Sequence, residues 1–593
     1  MKPAPQPQAC YLGPAGEKVF AWFHAPADES APGVGVVICN PFGFEEVCAH
    51  RSLRHLAAAL AAAGLPVMRF DYAGCGDSEG DDFQPGRMAA WVRSIHVVAD
   101  VLKKIGGVSE VCFVGLRLGA ALATQAALQR DDVAGLVAMA PVLRGRAYLR
   151  ELTMLGAVAD EPLEDRAPSS LSPVLETAGF VLTRETLDAL SALDLRRLVT
   201  APAPRVLLVD RDDVPGVKAW VPDLESVGAR VEIGRWPGYA VMMQDPQRSR
   251  VPLGIVDGVV GWLRKLPAVP ITQPVEPASV ASDTLDLPRG EQTLSEHVVR
   301  IDAGGGNLIG VLTGSLPMRS RPAVLMLNSG AVHHIGPNRL WVQLARRWAL
   351  QGINVLRLDL SGIGDSEARP SEEENIVYSR HAGADIESAL QYLKQHIGAT
   401  ECHAVGLCSG GYHALKAAMA GQGLASVLVV NPLTFNWKEG RTMEDLKDYE
   451  IAGLAAKFRR KLFTVEPWKR LLRNKIDLGI VAKVLMLRLW SFVYPPAMAI
   501  ARSLHLPLKD DLARELALVA RHNIRLKFVF AESAPGFDLL EREGGDAVHR
   551  MVRREEASLD FIPHADHTFT RFDARERLVA LLDQRVLGEC KPR

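Results

Sequence analysis

Gly406-Leu407-Cys408-Ser409-Gly410 decides how this chain is read. A short apolar run before it, Cys402-His403-Ala404-Val405, predicts a strand, and Gly411-Tyr412-His413-Ala414-Leu415-Lys416 after it predicts a helix. A strand that turns sharply into a helix, with small residues flanking one reactive side chain, is a nucleophile elbow. The turn is strained and closely packed, which is why its flanks are small. The reactive position holds Cys408 rather than serine. A second turn of the same design, Gly115-Leu116-Arg117-Leu118-Gly119, has an arginine at its centre. One elbow therefore carries a nucleophile and the other does not.

The two elbows belong to an internal repeat. Asn40-Pro41-Phe42-Gly43 matches Asn328-Ser329-Gly330-Ala331, each after an apolar strand. Arg69-Phe70-Asp71-Tyr72-Ala73-Gly74-Cys75-Gly76-Asp77-Ser78-Glu79 matches Arg357-Leu358-Asp359-Leu360-Ser361-Gly362-Ile363-Gly364-Asp365-Ser366-Glu367. After the elbows, Ala138-Met139-Ala140-Pro141 matches Val429-Val430-Asn431-Pro432, and Leu207-Leu208-Val209-Asp210 matches Phe528-Val529-Phe530-Ala531. Last, Trp236-Pro237-Gly238-Tyr239-Ala240 matches Ile562-Pro563-His564-Ala565-Asp566-His567. A repeat this long is a duplicated domain, since solenoid units are far shorter.

Within each half, short β-rich runs alternate with amphipathic helical segments such as 51–63 and 339–350. That alternation predicts a mostly parallel sheet covered by helices on both faces. The expected division is a first domain over 1–266, a Pro-rich linker over 267–293 and a second domain over 294–593. Each half also holds a helical insertion, at 143–198 and 437–506, read as a lid.

Bulk properties set limits. The 593 residues exceed one ordinary core and suit two or more domains. A formal net charge of −1 leaves no basic footprint for nucleic acid. The N-terminus lacks an apolar signal core, and the most apolar stretch, 478–504, is broken by Lys483, Arg488, Pro495, Pro496 and Arg502. No membrane-spanning segment is expected. The eight cysteines form no CxxC pair, a usage that fits reduced thiols and a cytoplasmic location.

The strand–Gly-x-nucleophile-x-Gly–helix turn, the Asp-x-x-Gly-x-Gly-Asp-Ser loop and the late histidine together resemble the α/β-hydrolase superfamily over nearly all of both halves. The resemblance implies two tandem α/β-hydrolase domains, each with a helical lid insertion. It is specific for fold and poor for substrate. More narrowly, Gly115-Leu116-Arg117-Leu118-Gly119-Ala120 and Pro563-His564-Ala565-Asp566-His567-Thr568-Phe569 are similar to paired hydrolase-like proteins of bacterial exopolysaccharide and exosortase-associated clusters, often beside acyl-ligase and acyl-carrier-protein genes.

In the second half the resemblance implies Cys408 as nucleophile and His567 as base, in the fold's order. A nearby histidine and a helix N-terminus both lower a thiol's pKa, so a reactive thiolate is expected at Cys408. The acid is missing: Ala534 stands where an aspartate is expected, leaving Glu532 and Asp538 as equal candidates, or no acid at all. The oxyanion hole is assigned to the backbone N–H of Ser409 and one from Gly330 or Ala331. His564 reads as structural, and His333-His334 as a loop feature, without a metal-binding spacing. Asp77 and Asp365 read as turn-fixing residues.

In the first half Arg117 cannot act as a nucleophile, and Gly238-Tyr239-Ala240 has no histidine. Asp213 remains near the acid loop with nothing to orient. Two readings stand: a degenerate copy kept for stability or assembly, or an anion receptor built on Arg117 for a carboxylate or phosphate. The expected function is acyl transfer, as a thioesterase or acyltransferase, on a small acyl substrate carried by an acyl carrier protein or CoA, with no cofactor. The alternatives are a non-catalytic binding protein and a hydrolase of small esters or lactones.

Overall fold

The apolar runs between turn residues form two sheets. The computed structural model describes residues 5–27, 33–159, 175–266, 274, 276, 281–315, 321–438, 441, 511–532 and 534–590. The chain divides into two compact units: Met1–Val299 with Val311–Thr313 and Ile335–Gln343, and Arg300–Gly310 with Gly314–His334 and Leu344–Arg593.

The strands of the first sheet are β1 (Gln8–Leu12), β2 (Val19–His24), β3 (Val34–Cys39), β4 (Val67–Phe70), β5 (Glu110–Leu116) and β6 (Val133–Met139). A small antiparallel hairpin, β7 (Leu175–Thr177) and β8 (Phe180–Leu182), lies apart from this sheet, which β9 (Arg205–Val209) and β10 (Arg230–Gly234) complete. The order is β1-β2-β4-β3-β5-β6-β9-β10, antiparallel at the β1–β2 end and parallel from β4 onward. Strand residues are buried on both faces. Val37, Phe113 and Leu208 join the core under helix Arg87–Gly106, while Val36, Ile38 and Val114 join the one under helices Phe44–Ala62 and Leu253–Leu263. Burial on both faces explains why these strands read as continuous apolar runs.

The second sheet has nine strands: β11 (Thr284–Arg289), β12 (Gln292–Asp302), β13 (Asn307–Ser315), β14 (Ala323–Met326), β15 (Asn354–Leu358), β16 (Cys402–Leu407), β17 (Ser426–Val430), β18 (Arg525–Ala531) and β19 (Ala557–Ile562). Their order is β11-β12-β13-β15-β14-β16-β17-β18-β19, with β15 to β19 parallel.

Two boundaries differ from the sequence reading. Residues 284–293, expected in the linker, form β11 and the start of β12, because Leu285 and Leu287 alternate with polar neighbours and bury one face. The rest of the linker, apart from 274, 276 and 281–283, lies outside the described residues. The first insertion is not purely helical: helices Gly145–Ala159 and Arg184–Ser191 flank the β7–β8 hairpin. Of the second insertion, only Trp437, Lys438 and Arg441 are described, so the lid over 437–506 otherwise lies outside the described residues.

Candidate active site

Cys408 sits between β16 and helix Ser409–Met419 with φ 59° and ψ −118°. Non-glycine residues pay for a positive φ, so this conformation persists only where the surroundings enforce it. Here the Cys408 N–H is held by the Val430 carbonyl at 2.9 Å, and its own carbonyl accepts from Tyr412 N–H at 3.3 Å. A Cβ on Gly406 would collide with the Gly410 backbone, and one on Gly410 would collide with the Asn328 carbonyl. The helix therefore starts hard against the first loop.

The Cys408 side chain is buried. The backbones of Ser409 and Gly330 favour the thiolate. Gly330 N–H donates to Ser409 Oγ at 2.9 Å. Ala331 is the next residue of the same turn. Burial outweighs both backbones and pushes the Cys408 thiol up to about 12. The expectation of a resting thiolate is corrected on this point: the helix start is present, but loss of solvent dominates.

Between β19 and helix Phe572–Glu589 runs the loop that carries both candidate histidines. Burial pulls His567 down to about 4, against the opposing charge of Asp566, so its imidazole is neutral at pH 7. Asp566 braces the loop, accepting from Thr568 N–H (3.3 Å), Thr568 Oγ1 (3.2 Å) and Thr570 N–H (2.8 Å). The His567 carbonyl accepts from Asn431 Nδ2 at 2.8 Å. His564 is exposed with φ 52°, and its N–H donates to Glu532 Oε2 at 3.3 Å. Glu532 thus reaches the base loop from the end of β18, while Asp538 lies in the first turn of helix Gly536–Gly544. Sequence reading missed Asn431 and Asp566. The internal alignment had paired Asn431 with Ala140, and that difference was the available signal.

The first loop is fixed by buried polar groups. His334 Nδ1 lies 2.8 Å from Asp359 Oδ2, and Asp359 also accepts from Asn328 Nδ2 (2.8 Å) and Asp365 N–H (3.0 Å). In the first half Asp71 accepts from Asp77 N–H at 2.9 Å. The sequence reading had Asp77 and Asp365 fix these loops through local hydrogen bonds. In these contacts the accepting carboxylates belong to Asp71 and Asp359, and the later residues supply their N–H groups.

Arg117 repeats the backbone of Cys408 closely, with φ 54°, ψ −119° and its N–H on the Met139 carbonyl at 2.9 Å. Its side chain meets two of the chain's own carboxylates. Nε donates to Glu45 Oε1 at 2.6 Å, and a second nitrogen pairs with Glu151. Tyr148 OH donates to the other Glu45 oxygen at 2.9 Å, and the guanidinium lies 5.4 Å from the Tyr148 ring centre. Burial lowers the Arg117 pKa, but Glu45 and the other partners more than restore it, so the net shift is upward. An external anion at Arg117 would have to displace Glu45 and Glu151. In the last loop of this half the repeat sets Tyr239 against Ala565 and Val241 against His567, Asp212 accepts from Gly238 and Ala240 N–H, and Asp213 pairs with Arg211.

No helix among the described residues is long and apolar enough to cross a membrane.

Comparison with known proteins agrees with the duplicated architecture. Residues 36–186 match the family described as serine aminopeptidase, S33, and residues 324–581 match the alpha/beta hydrolase family. An uncharacterized Mycobacterium tuberculosis protein (strain H37Rv), like its counterpart in strain CDC 1551, is 31% identical over 242 residues, covering 37% of this chain and 78% of the relative. Among solved structures, the chain is similar to Est1E from Butyrivibrio proteoclasticus bound to ferulic acid, with 18% identity, TM-score 0.32, 43% of this chain and 96% of that one. It is also similar to the thioesterase domain from the curacin biosynthetic pathway, with 16% identity, TM-score 0.28, 48% of this chain and 99% of that one. The chain carries two α/β-hydrolase-like domains in tandem.

Proposed function

We propose that this chain of two α/β-hydrolase-like domains is an acyl-transfer enzyme, a thioesterase or acyltransferase, that works through Cys408 and His567 in its C-terminal half. The observation that carries the reading is the elbow itself: a buried sulfur on a strained turn at a helix start, with the Ser409 and Gly330 backbones favouring its thiolate and the first loop tied to the elbow through Gly330 N–H on Ser409 Oγ. Donors in that arrangement also suit the oxyanion that develops when the sulfur attacks a carbonyl, and each is typically worth ~3 kcal/mol in the transition state.

The protonation states support general-base chemistry rather than a preformed ion pair. A thiol near 12 and an imidazole near 4 are both neutral at pH 7. As the carbon–sulfur bond forms, the thiol proton passes to His567, and Ser409 and Gly330 N–H hold the oxyanion. Its collapse expels the leaving thiol or alcohol, which takes the proton back from the imidazolium. The acyl group now sits on Cys408 as a thioester. Water or an acceptor hydroxyl or amine attacks it, with His567 again taking the proton. A thioester intermediate keeps transfer to an amine or hydroxyl downhill, so transfer is as well supported as hydrolysis.

Glu532 and Asp538 remain the candidates for the acid behind His567, and Ala331 the alternative first-loop donor. Acyl groups carried on an acyl carrier protein or CoA suit the chemistry and the resemblance to exopolysaccharide-associated proteins. The N-terminal half is the degenerate partner, its elbow arginine closed by Glu45 and Glu151.

Incubation with acyl-N-acetylcysteamine thioesters, followed by intact-mass measurement, should show one acyl adduct that Cys408→Ala abolishes. Turnover that survives in Cys408→Ala would sink the proposal. A second reading, a pseudo-hydrolase that only binds, is favoured by the raised thiol. A broad thiol-reactive probe separates the two, since a binder would show Cys408 labelled no faster than the other cysteines at pH 7. Profiling against oxygen esters and lactones tests the small-ester alternative.

A further inference from the structure

We infer that Asn431 is a positioning residue that ties the base loop to the nucleophile elbow. The inference rests on the Cys408–His567 reading above and identifies what holds that pair in register.

Asn431 follows β17, the strand between the elbow strand and β18. It is fully buried and holds a positive φ of 42°. Its backbone N–H is fixed by the Val529 carbonyl at 2.9 Å. Its side chain spends both polar ends on two other loops: Nδ2 donates to the His567 carbonyl at 2.8 Å, and Oδ1 accepts from Ala531 N–H at 2.7 Å. The preceding residue, Val430, is the one whose carbonyl holds the Cys408 N–H at 2.9 Å. Two successive residues therefore grip the nucleophile's backbone and the base's backbone.

The first half supplies the internal control. Ala140 occupies the matching position with φ 45°, its N–H on the Val209 carbonyl at 2.9 Å, and Arg117 N–H on the Met139 carbonyl at 2.9 Å. The backbone frame is the same, yet the side chain that would reach the last loop is absent. So are the nucleophile and the histidine. The clamp accompanies the chemistry and not the fold. It also has something to restrain: His564 and Phe569 on either side of His567 both have positive φ, which loosely held loops avoid.

Oδ1 could be replaced by a carboxylate oxygen, but Nδ2 could not, so two variants separate the halves of the clamp. Asn431→Ala removes both bonds, and Asn431→Asp keeps an acceptor for Ala531 N–H while losing the donor to His567. The full-length protein, labelled at histidine with carbon-13, is followed by NMR, with His567→Gln assigning the imidazole signal. In parallel, iodoacetamide alkylation of Cys408 is measured from pH 5 to 9 by peptide mass spectrometry. In wild type the His567 signal should titrate well below the ordinary histidine range. Both Asn431 variants should move that titration upward toward the ordinary range and slow Cys408 alkylation at pH 7 at least tenfold, changing its pH profile toward that of His567→Gln. Asn431→Asp serves if Asn431→Ala does not fold. A wild-type titration and alkylation profile in a folded Asn431 variant overturns the inference. If His567→Gln itself alkylates like wild type, the Cys–His reading fails instead, and the NMR titration of the Asn431 variants still decides whether Asn431 positions His567.

Discussion

Arg117→Met should destabilise the first unit and leave the chemistry of Cys408 alone. The Arg117 side chain is 7% exposed and Glu45 12%, whereas Glu151 is 48% exposed. Removing the guanidinium strands the Glu45 carboxylate away from water. Taking one partner from a buried pair costs about 3–5 kcal/mol. The exposed partner adds less than about 1 kcal/mol. Tyr148 still donates to Glu45 at 2.9 Å, which places the loss near the lower end, about 3 kcal/mol. In a domain of this size each kcal/mol shifts the melting point by about 2–4 °C, so the first unit should melt about 6–12 °C earlier. Adding Glu45→Gln removes the stranded charge and should recover most of the loss, since replacing both members of a buried pair is often neutral. Differential scanning calorimetry of the full chain reads the shift, and acyl-adduct formation on Cys408, measured below the melting range, reads the chemistry. An unshifted melt, or a double variant no more stable than Arg117→Met, would refute the argument. So would Arg117→Met that melts normally but no longer acylates, which would mean Arg117 serves a ligand.

The two units should respond to acid in opposite directions. Burial, with Asp77 and Glu46 nearby, raises Asp71 to about 7, so the folded first unit holds a proton that the unfolded chain releases near pH 4, and its stability falls as pH rises between the two, by on the order of 4 kcal/mol. His567 is depressed to about 4, so the second unit is stabilised above the unfolded value near 6.5 and loses on the order of 3 kcal/mol as pH falls through 4. Melts at pH 5 and 7 should therefore show one transition rising and the other falling on acidification; Asp71→Asn should flatten the first, and two transitions that move together would contradict the assignment. Gly410→Ala would put a Cβ 2.5 Å from the Asn328 carbonyl and push back the first loop that carries Gly330. It should slow acylation of Cys408 by about 10²-fold, as loss of one oxyanion donor does, with a stability loss of about 1–3 kcal/mol; acylation at the wild-type rate would show that the first loop supplies no donor.

Much of the fold was legible because both of its signals are local. Strands buried on both faces read as apolar runs, and each elbow is announced by small residues within five positions. The 284–293 segment was misread because Pro288, Gly290 and its polar residues look like a linker, although Leu285 and Leu287 already alternate as a strand requires. The site was less legible, for two reasons. The state of Cys408 depends on burial, a property of the whole unit, and no local motif reports that a helix start will lose to desolvation. Asn431 acts on residues 100 and 136 positions away, so its role exists only once β17, β18 and the last loop are neighbours.

The duplication also separates features of the fold from features of the chemistry. A strained, positive-φ residue at a strand–helix turn invites a catalytic reading. Arg117 shows the same strain with no nucleophile, so the strain alone says nothing about catalysis in this chain. It comes from the close approach of helix, strand and first loop, which Gly115 and Gly119 permit in one half and Gly406 and Gly410 in the other. What marks the second half is the set of groups that differ across the repeat. Cys408 replaces an arginine neutralised by Glu45, Asn431 replaces Ala140, and His567 stands in a loop whose counterpart has none. These three positions sit in one short chain of hydrogen bonds, from Cys408 N–H through Val430 and Asn431 to the His567 carbonyl. A half kept only as scaffold has no need of that chain, and the half with Arg117 lacks its last link.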